Sequence, residues 1–249
     1  IPRKCPVCKH GVYQLDGEAI SRCGNTSCIK QVKARIEHFC SKGAMDIDGL
    51  GEKVVDQLVD EGLLDSISSI FSLKKEQLIS LDRFGERSSE KLRGSIERSK
   101  DTSFSKFVYG LGIRNVGEHL SRLLERNYNC SINRFRTESI DELEKIEGVG
   151  PIVAREIFEF WSNQSNCDMV EDCFSRGVTI QKQNDTWSDK LEGKIFVFTG
   201  TLQKLNRKNA QEKVQALGGR HSSSISKNTD FVVAGPGAGT KLKKAKQLD

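Results

Sequence analysis

The sequence predicts a multidomain, mainly α-helical chain that ends in a smaller α/β module with a parallel sheet. Three observations support this fold class. Four cysteines form two close pairs near the start, turns containing glycine recur at a nearly constant period through the middle, and β-rich runs alternate with helical runs after residue 190. With 249 residues, the chain is long enough for two or three domains.

The two cysteine pairs have the spacing C-x2-C-x14-C-x4-C over Cys5, Cys8, Cys23 and Cys28. Two short cysteine turns at this separation can direct four thiolates to one tetrahedral zinc ion. Because four cysteine ligands leave no position for water, the zinc would be structural, and its binding would supply most of the folding energy of a module over residues 1–40. Two disulfides, or four unrelated buried thiols, are the alternatives. The other cysteines lack such spacing and are expected to be core thiols: Cys40, Cys130, Cys167 and Cys173.

A short turn recurs in the middle of the chain, each time before a helix-like run. We name the four turns the first to fourth hairpins: Gly49-Leu50-Gly51, Arg83-Phe84-Gly85, Asn115-Val116-Gly117 and Gly148-Val149-Gly150. Their last glycines are 34, 32 and 33 residues apart. Such a period indicates repeated units of helix, tight turn and helix, and predicts an all-α array over residues 41–182. Further helices are predicted over residues 66–71, 74–81, 104–109 and 139–146, the last with a capping box of Ser139 and Glu142.

Consecutive backbone N–H groups in such a turn, at the start of a helix, form a small anion site. Glycine lets the backbone approach a phosphate closely, while the apolar residue between would fix the hairpin to its own helices. We rank the first and fourth hairpins highest, the third lower because Asn115 replaces a glycine, and the second lowest because Arg83 does. A helical repeat used only for packing or protein contacts is the alternative. The predicted phosphate-binding residues are Gly49, Leu50, Gly51, Gly85, Val116, Gly117, Gly148, Val149 and Gly150.

The net charge is distributed unevenly along the chain. Residues 1–44 carry a charge of +5, residues 45–189 carry −8 and residues 190–249 carry +8. The basic ends indicate nucleic acid as a partner. The acidic middle argues against simple electrostatic adhesion there, and it favours phosphate contacts made by backbone amides, which read no base sequence.

After a predicted linker over residues 183–189, the pattern of the sequence changes. Residues 194–200, 220–224 and 230–234 resemble strands, whereas residues 206–217 and 240–248 have helical periodicity. This alternation implies a parallel sheet. Thr199 and Gly200 would lie at the carboxyl end of the first strand, where Lys241 could meet them in a weak candidate phosphate site.

No apolar run is long enough to span a membrane, and no signal peptide is visible, which predicts a cytoplasmic protein that does not bind membranes. Eight cysteines in such a chain favour metal binding over disulfides. The first residue is isoleucine, so we expect a piece of a longer chain. We also expect a monomer.

Taken together, these features closely resemble one family, the bacterial NAD-dependent DNA ligases, in their carboxy-terminal half. The resemblance covers essentially the whole chain. Besides the cysteine pairs, it is carried by residues 38–51, by Leu111 to Gly117, by Thr199-Gly200-Thr201-Leu202, by Gly218-Gly219, by residues 224–230 and by Gly239-Thr240-Lys241-Leu242.

The resemblance implies a four-cysteine zinc finger over 1–40, four helix-hairpin-helix motifs over 41–182 and a BRCT domain over 190–249. It implies that the hairpins grip duplex or nicked DNA without sequence specificity, while the parent enzyme seals nicks during replication and repair. The BRCT domain is expected to be truncated before its last strand and helix, which leaves a sheet edge unpaired. The phosphate pocket of such domains would fall on Thr199, Gly200, Arg207 and Lys241.

The family's K-x-D-G string, which contains the adenylated lysine, does not occur in these 249 residues. The resemblance therefore implies that NAD and Mg²⁺ bind the parent enzyme outside this chain, and that the chain has no catalytic residue and is inactive alone. A stand-alone DNA-binding protein, or a scaffold that reads phosphopeptides, is the alternative.

Overall fold

The computed structural model describes residues 3–14, 20–25, 27–82, 84–181, 189–191, 193–226, 228–245 and 247. Arg83 and nearly all of the predicted linker lie outside the described residues. The chain divides into two compact units, Ile1–Lys182 and Gln183–Asp249. No helix among the described residues is long and apolar enough to cross a membrane.

The first unit begins with a small β-hairpin and continues as a series of helices. Strands β1 (Val12–Tyr13) and β2 (Arg22–Cys23) pair in antiparallel fashion. The helices that follow are α1 (Ile29–Cys40), α2 (Glu52–Asp60), a 3-10 helix (Ser68–Ser72), α3 (Lys75–Ile79), α4 (Glu86–Ser99), α5 (Phe104–Gly110), α6 (Glu118–Tyr128), α7 (Ile132–Arg136), α8 (Ile140–Glu144), α9 (Pro151–Ser162) and α10 (Gln164–Ser175).

Most of these helices begin at two kinds of N-cap: serines whose hydroxyls accept a hydrogen bond from a first-turn amide, and the last glycines of the hairpins. The Ser139 hydroxyl accepts a hydrogen bond from the backbone N–H of Glu142 at 3.3 Å, so the predicted helix start at this point is confirmed. Ser103 and Ser131 cap α5 and α7 in the same way. Helices α2, α4, α6 and α9 each begin directly after a hairpin, with its last glycine as the N-cap.

One continuous apolar core runs through the first unit from α1 to the segment after α10. Phe39, in the last turn of α1, is fully buried, and its ring packs edge-on against Phe71 and Phe107 with centroids 6.1 Å and 6.2 Å away. Phe135 joins α7 to the ring of Trp161 on α9 at 5.6 Å. The helix that follows the cysteine pairs thus shares its core with the hairpin array.

The array contains one strand pair that the all-α prediction for residues 41–182 omitted. Strands β3 (Asp101–Thr102) and β4 (Thr179–Ile180) pair in parallel. The carboxylate of Asp101 accepts hydrogen bonds from the Thr179 hydroxyl at 2.6 Å and from the Gln181 side chain at 2.9 Å. These two bonds lower the pKa of Asp101 and fasten the end of the first unit to its middle.

The second unit is the predicted α/β module. Its elements are a short 3-10 helix (Asp189–Leu191), β5 (Ile195–Thr199), α11 (Arg207–Ala216), β6 (Arg220–Ser222), β7 (Phe231–Ala234) and α12 (Thr240–Ala245). The strand order is β6-β5-β7 and both pairs are parallel, with α11 as the crossover from β5 to β6. The predicted fold class, mainly helical with a small parallel sheet at the end, is confirmed.

Two glycines inside helices provide opposite tests of this packing. A Cβ atom at Gly110 would lie 3.0 Å from the Phe39 ring and 3.3 Å from the Ala44 Cβ, whereas one at Gly94 would meet only the guanidinium of Arg98 at 3.3 Å. Urea unfolding should show Gly110→Val destabilised by about 1–3 kcal/mol through overpacking. Gly94→Ala should be stabilised by about 0.5–1 kcal/mol because alanine favours the helix. Equal effects of the two changes would contradict the packing of α5 on α1.

Candidate nucleic-acid interface and metal centre

The four cysteines of the predicted zinc site lie together. Cys5 and Cys8 precede β1, Cys23 ends β2, and Cys28 is the N-cap of α1. Their sulfur atoms all lie within 4.8 Å of one another, with 4.0 Å between Cys5 and Cys28 and 3.4 Å between Cys8 and Cys23. Four sulfurs around one ion at about 2.3 Å would be about 3.8 Å apart. All four are free thiols, so this cluster could hold a metal ion and the disulfide alternative is not realised.

Backbone amides prepare the first pair of thiols to bind a cation. The N–H groups of Cys8 and Val7 lower the pKa of the Cys5 thiol. The N–H of His10 lowers the pKa of the Cys8 thiol to about 6. Because a thiolate rather than a thiol binds metal, these amides favour the ligand form of Cys5 and Cys8.

The remaining cysteines lie outside this cluster. Cys40 and Cys173 are buried in the apolar core, and burial raises the pKa of each thiol to about 12. Cys130 and Cys167 are half-buried, and the Cys167 sulfur donates to the carbonyl of Trp161 at 3.1 Å. None of the four joins the predicted ligand set.

An ion cluster around a buried lysine connects α1, whose N-cap is Cys28, to α2, which follows the first hairpin. The ammonium of Lys33 lies 2.9 Å from a carboxylate oxygen of Asp56 and 2.9 Å from both carboxylate oxygens of Asp60. The Lys33 side chain is only 10% exposed. The hydrogen bonds that Lys33 donates to Asp60 and Asp56 raise the pKa of Lys33, and Lys33 in turn lowers the pKa of Asp56.

The sequence pattern did not reveal this role for Lys33. By charge alone, Lys33 belongs to the basic stretch of residues 1–44 that indicates nucleic acid as a partner, but in the structure its ammonium pairs with Asp56 and Asp60. Asp56 and Asp60 are four residues apart and therefore lie on one face of α2. That spacing, together with apolar Val32 and Ile36 beside Lys33, is the signal that could have identified the cluster.

The first, third and fourth hairpins share one backbone conformation. The first position has a positive φ in each, +102° at Gly49, +61° at Asn115 and +87° at Gly148. The middle residue of each is buried, with 4%, 4% and 5% of its surface exposed, and its N–H donates to the carbonyl three residues earlier. Asparagine tolerates the left-handed region, so the third hairpin has the same geometry as the two that sequence ranks above it.

The last glycine of these three hairpins presents a free backbone N–H at the start of a helix. Gly51, Gly117 and Gly150 have φ of −84°, −86° and −86° and ψ of 172°, 176° and 172°. Among the described residues, no hydrogen bond uses any of these three N–H groups as its donor. Each N–H therefore adds to the positive end of the helix dipole.

Within the described part of the protein, no neighbour explains why these last positions are glycine. Their φ values are open to any residue, and a Cβ atom at Gly51, Gly117 or Gly150 would meet nothing within 4 Å. A glycine kept bare on an open surface, beside a free amide, suits the close approach of an external group. The arrangement can bind an anion such as a phosphate oxygen.

The second hairpin differs from the other three. Its last residue, Gly85, has φ −128° and ψ −179°, and its middle residue, Phe84, is only half-buried. The N–H of Gly85 donates to the Ser88 hydroxyl at 2.8 Å, and that hydroxyl donates back to the Gly85 carbonyl at 2.9 Å. The amide of this hairpin is therefore already satisfied within the chain.

Carboxylates near the hairpins are partly neutralised. Asp48 pairs with Lys91 at 2.8 Å, and Glu118 pairs with Arg122 at 3.4 Å. Lys91 lowers the pKa of Asp48. An open cavity of about 610 Å³ borders the first hairpin and leaves room for a ligand there.

In the second unit, three residues of the predicted phosphate pocket meet. Thr199 is buried at the end of β5, and Gly200 has φ +73° with no room for a Cβ atom, which would lie 2.4 Å from the carbonyl oxygen of Gly235. The Arg207 guanidinium donates to the Gly200 carbonyl at 3.3 Å. Lys241 is half-buried on α12, and among the described residues no hydrogen bond joins it to the other three.

Comparison with known protein families agrees with this architecture. A model of the helix-hairpin-helix motif matches residues 106–170, which contain the third and fourth hairpins. A model of the BRCA1 C Terminus (BRCT) domain matches residues 188–249. The chain therefore combines a helix-hairpin-helix region with a BRCT domain.

Curated proteins that are similar to this chain are named DNA ligase. A protein named DNA ligase from Desulfosudis oleivorans is 42% identical over 252 residues, and others from Coxiella burnetii (strain Dugway 5J108-111) and Syntrophotalea carbinolica are 40% and 41% identical over 249 residues. Each alignment covers 100% of this chain and 37% of the relative. The chain is thus homologous to DNA ligases along its whole length and spans about 37% of their length, and the resemblance recognised in the sequence is confirmed.

Metal titration tests the cysteine cluster. The protein should bind one equivalent of Co²⁺, a spectroscopic substitute for zinc, with the absorption of a tetrahedral tetrathiolate. Cys23→Ser should abolish that spectrum, whereas Cys130→Ser, which alters a cysteine outside the cluster, should leave it unchanged. A wild-type spectrum in Cys23→Ser would show that the metal binds elsewhere.

The pH dependence of stability tests the Lys33 cluster. Because the pKa of Asp56 is depressed in the folded protein, its ion pair contributes fully to the free energy of unfolding above about pH 4. That contribution is lost as the pH falls further, through the depressed pKa of Asp56. Because the pKa of Lys33 is raised, its contribution to the free energy of unfolding is complete below about pH 10. Lys33→Met should therefore be less stable than wild type at neutral pH, and the difference in free energy of unfolding should shrink below pH 4.

Lys30→Met is the matched control, since Lys30 is an exposed lysine on the same helix. Its difference from wild type should be smaller at every pH. Parallel stability curves for wild type and Lys33→Met down to acidic pH would contradict the assigned role of the cluster.

Proposed function

We propose that this chain is the DNA-gripping part of an NAD-dependent DNA ligase, and that the first, third and fourth hairpins hold backbone phosphates through their free amides. One observation supports this most strongly. Three hairpins of the repeat share similar dihedral angles, a free N–H at the last position and a bare glycine there facing open space.

Amide contacts suit the charge of this part of the protein. Residues 45–189 carry a net charge of −8, which disfavours DNA binding that depends mainly on lysine side chains. Three helix N-termini with free N–H groups supply positive potential locally, without a net positive charge. Contacts of this kind read phosphate position and not base identity, so binding should be independent of sequence.

The proposed organisation follows the sequence prediction. Residues 1–40 form a module held by one structural zinc on Cys5, Cys8, Cys23 and Cys28, residues 41–182 grip DNA, residues 183–189 link, and residues 190–249 form the BRCT domain. Four thiolates complete a tetrahedral zinc, so the ion would hold the module together and take no part in catalysis. Thr199, Gly200, Arg207 and Lys241 are proposed as a phosphate pocket of the BRCT domain.

In the parent enzyme, the gripped DNA would carry a 5′-phosphate/3′-hydroxyl nick to be sealed during replication and repair. NAD and Mg²⁺ would bind in segments outside these residues, where the lysine that accepts the adenylyl group would also lie. The protein is proposed to act as a monomer in the cytoplasm. This chain would contribute the affinity that keeps the duplex in place.

Single glycine-to-alanine changes test the hairpins cleanly. Gly51→Ala, Gly117→Ala and Gly150→Ala fit the existing backbone and meet no neighbour, so folding should be kept. Because each new methyl would stand where a phosphate approaches, each change should weaken duplex binding about tenfold, corresponding to ~1.4 kcal/mol. Fluorescence anisotropy of a nicked duplex measures the affinity.

Gly85→Ala is the matched control, since its Cβ atom also meets nothing but its amide is already bonded to Ser88. It should bind DNA like wild type. If all four variants bound equally well, the hairpins would not be the DNA contact. An equal loss in all four would instead place the second hairpin among the grips.

A further inference from the structure

The first two helical residues after the fourth hairpin differ in type from those after the other three. After the first, second and third hairpins they are Glu52-Lys53, Glu86-Arg87 and Glu118-His119, an acid followed by a basic residue. After the fourth they are Pro151-Ile152. All eight side chains are exposed, so the difference lies on the surface that surrounds the proposed phosphate sites.

Ile152 is the most exposed large apolar side chain in the described part of the protein, at 71%. A single exposed apolar residue is ordinary on a protein surface. Here, however, it occupies the position that holds a basic residue in the three other copies of the same unit. Isoleucine also gives a helix no advantage over those residues, because its β-branched side chain is restricted there.

The helix start after the fourth hairpin differs from the other three in more than Ile152. The first turn of α9 contains no acidic residue, whereas α2, α4 and α6 each carry a glutamate there. Pro151 removes one N–H from the helix start but leaves the Gly150 amide free. An apolar surface made of Pro151 and Ile152 therefore adjoins one free amide.

Resting on the proposed function, we propose that Ile152 packs against the deoxyribose next to the phosphate held by the fourth hairpin. A basic residue at this position can reach a neighbouring phosphate, but an isoleucine cannot. The nearest apolar surface on a DNA strand beside a phosphate is the C–H face of its sugar. Ile152 would thus position the fourth hairpin by burial, while the other hairpins add ionic contacts.

Affinity measured over a series of salt concentrations separates burial from charge. In the 249-residue chain, Ile152→Ser should weaken binding to a nicked duplex by about fivefold to tenfold at every salt concentration. The slope of log affinity against log salt should stay that of wild type, because no counterion is involved. Ile152→Leu should retain wild-type affinity, since it keeps the apolar surface.

Ile152→Lys should behave differently from both. It restores the basic residue of the first hairpin, so it should recover affinity at low salt and steepen the salt dependence by about 0.9 in slope. Phe158→Ser is the control for an exposed apolar residue further along the same helix, 42% exposed, and should not change DNA affinity. Thermal unfolding should confirm that each variant is folded.

The outcomes distinguish this inference from the proposed function. Wild-type affinity in Ile152→Ser, together with weakened binding in Gly51→Ala and Gly117→Ala, would overturn the role of Ile152 alone and leave the hairpin grips intact. Wild-type affinity in the glycine variants as well would overturn the proposed function. A loss in Ile152→Ser that disappears at one end of the salt series would also overturn the role of Ile152, because the contact would then be ionic.

Discussion

In each of three hairpins, one apolar side chain is buried at the middle of the turn. The exposed amides of the hairpins depend on this burial. With Leu50, Val116 and Val149 each at most 5% exposed, the turn cannot rotate relative to its two helices. The residue before must then take a positive φ, and the glycine after it must present its N–H outward. The exposed amides are therefore a consequence of core packing, and any change that loosens the middle residue should loosen the anion site with it.

The cysteine cluster is connected to this packing by α1. The helix starts at Cys28, one of the four thiols, and its last turn contains Phe39, which lies at the centre of the aromatic core. Between these points Lys33 ties α1 to α2, the helix of the first hairpin. A metal ion at the cluster would thus fix the beginning of a helix whose other end supports the hairpin array, although no residue of the cluster lies in a hairpin.

Sequence alone could predict the features that depend on spacing. The cysteine pairs, the period of the glycines and the alternation of strands and helices after residue 190 are one-dimensional signals, and the structure agrees with each of them. The features it missed depend on which partner a side chain finds. Ser88 satisfies the amide of Gly85, Lys33 turns inward, and Asp101 draws β4 to β3, and each of these requires residues whose proximity only the fold creates.

The four hairpins share one sequence pattern, but they differ in whether the amide of the last glycine is free and in which side chains follow it. The second has closed its own amide with Ser88, while the first and third keep the amide free and place a carboxylate and a basic residue beside it. The fourth replaces both charges with Pro151 and Ile152. On a smooth polyanion, four identical phosphate grips would slide freely, because every phosphate is alike. Under the proposed function, a set that combines amide, ionic and apolar contacts would have a preferred depth and orientation on the duplex, since the sugars and the phosphates lie at different positions across the groove.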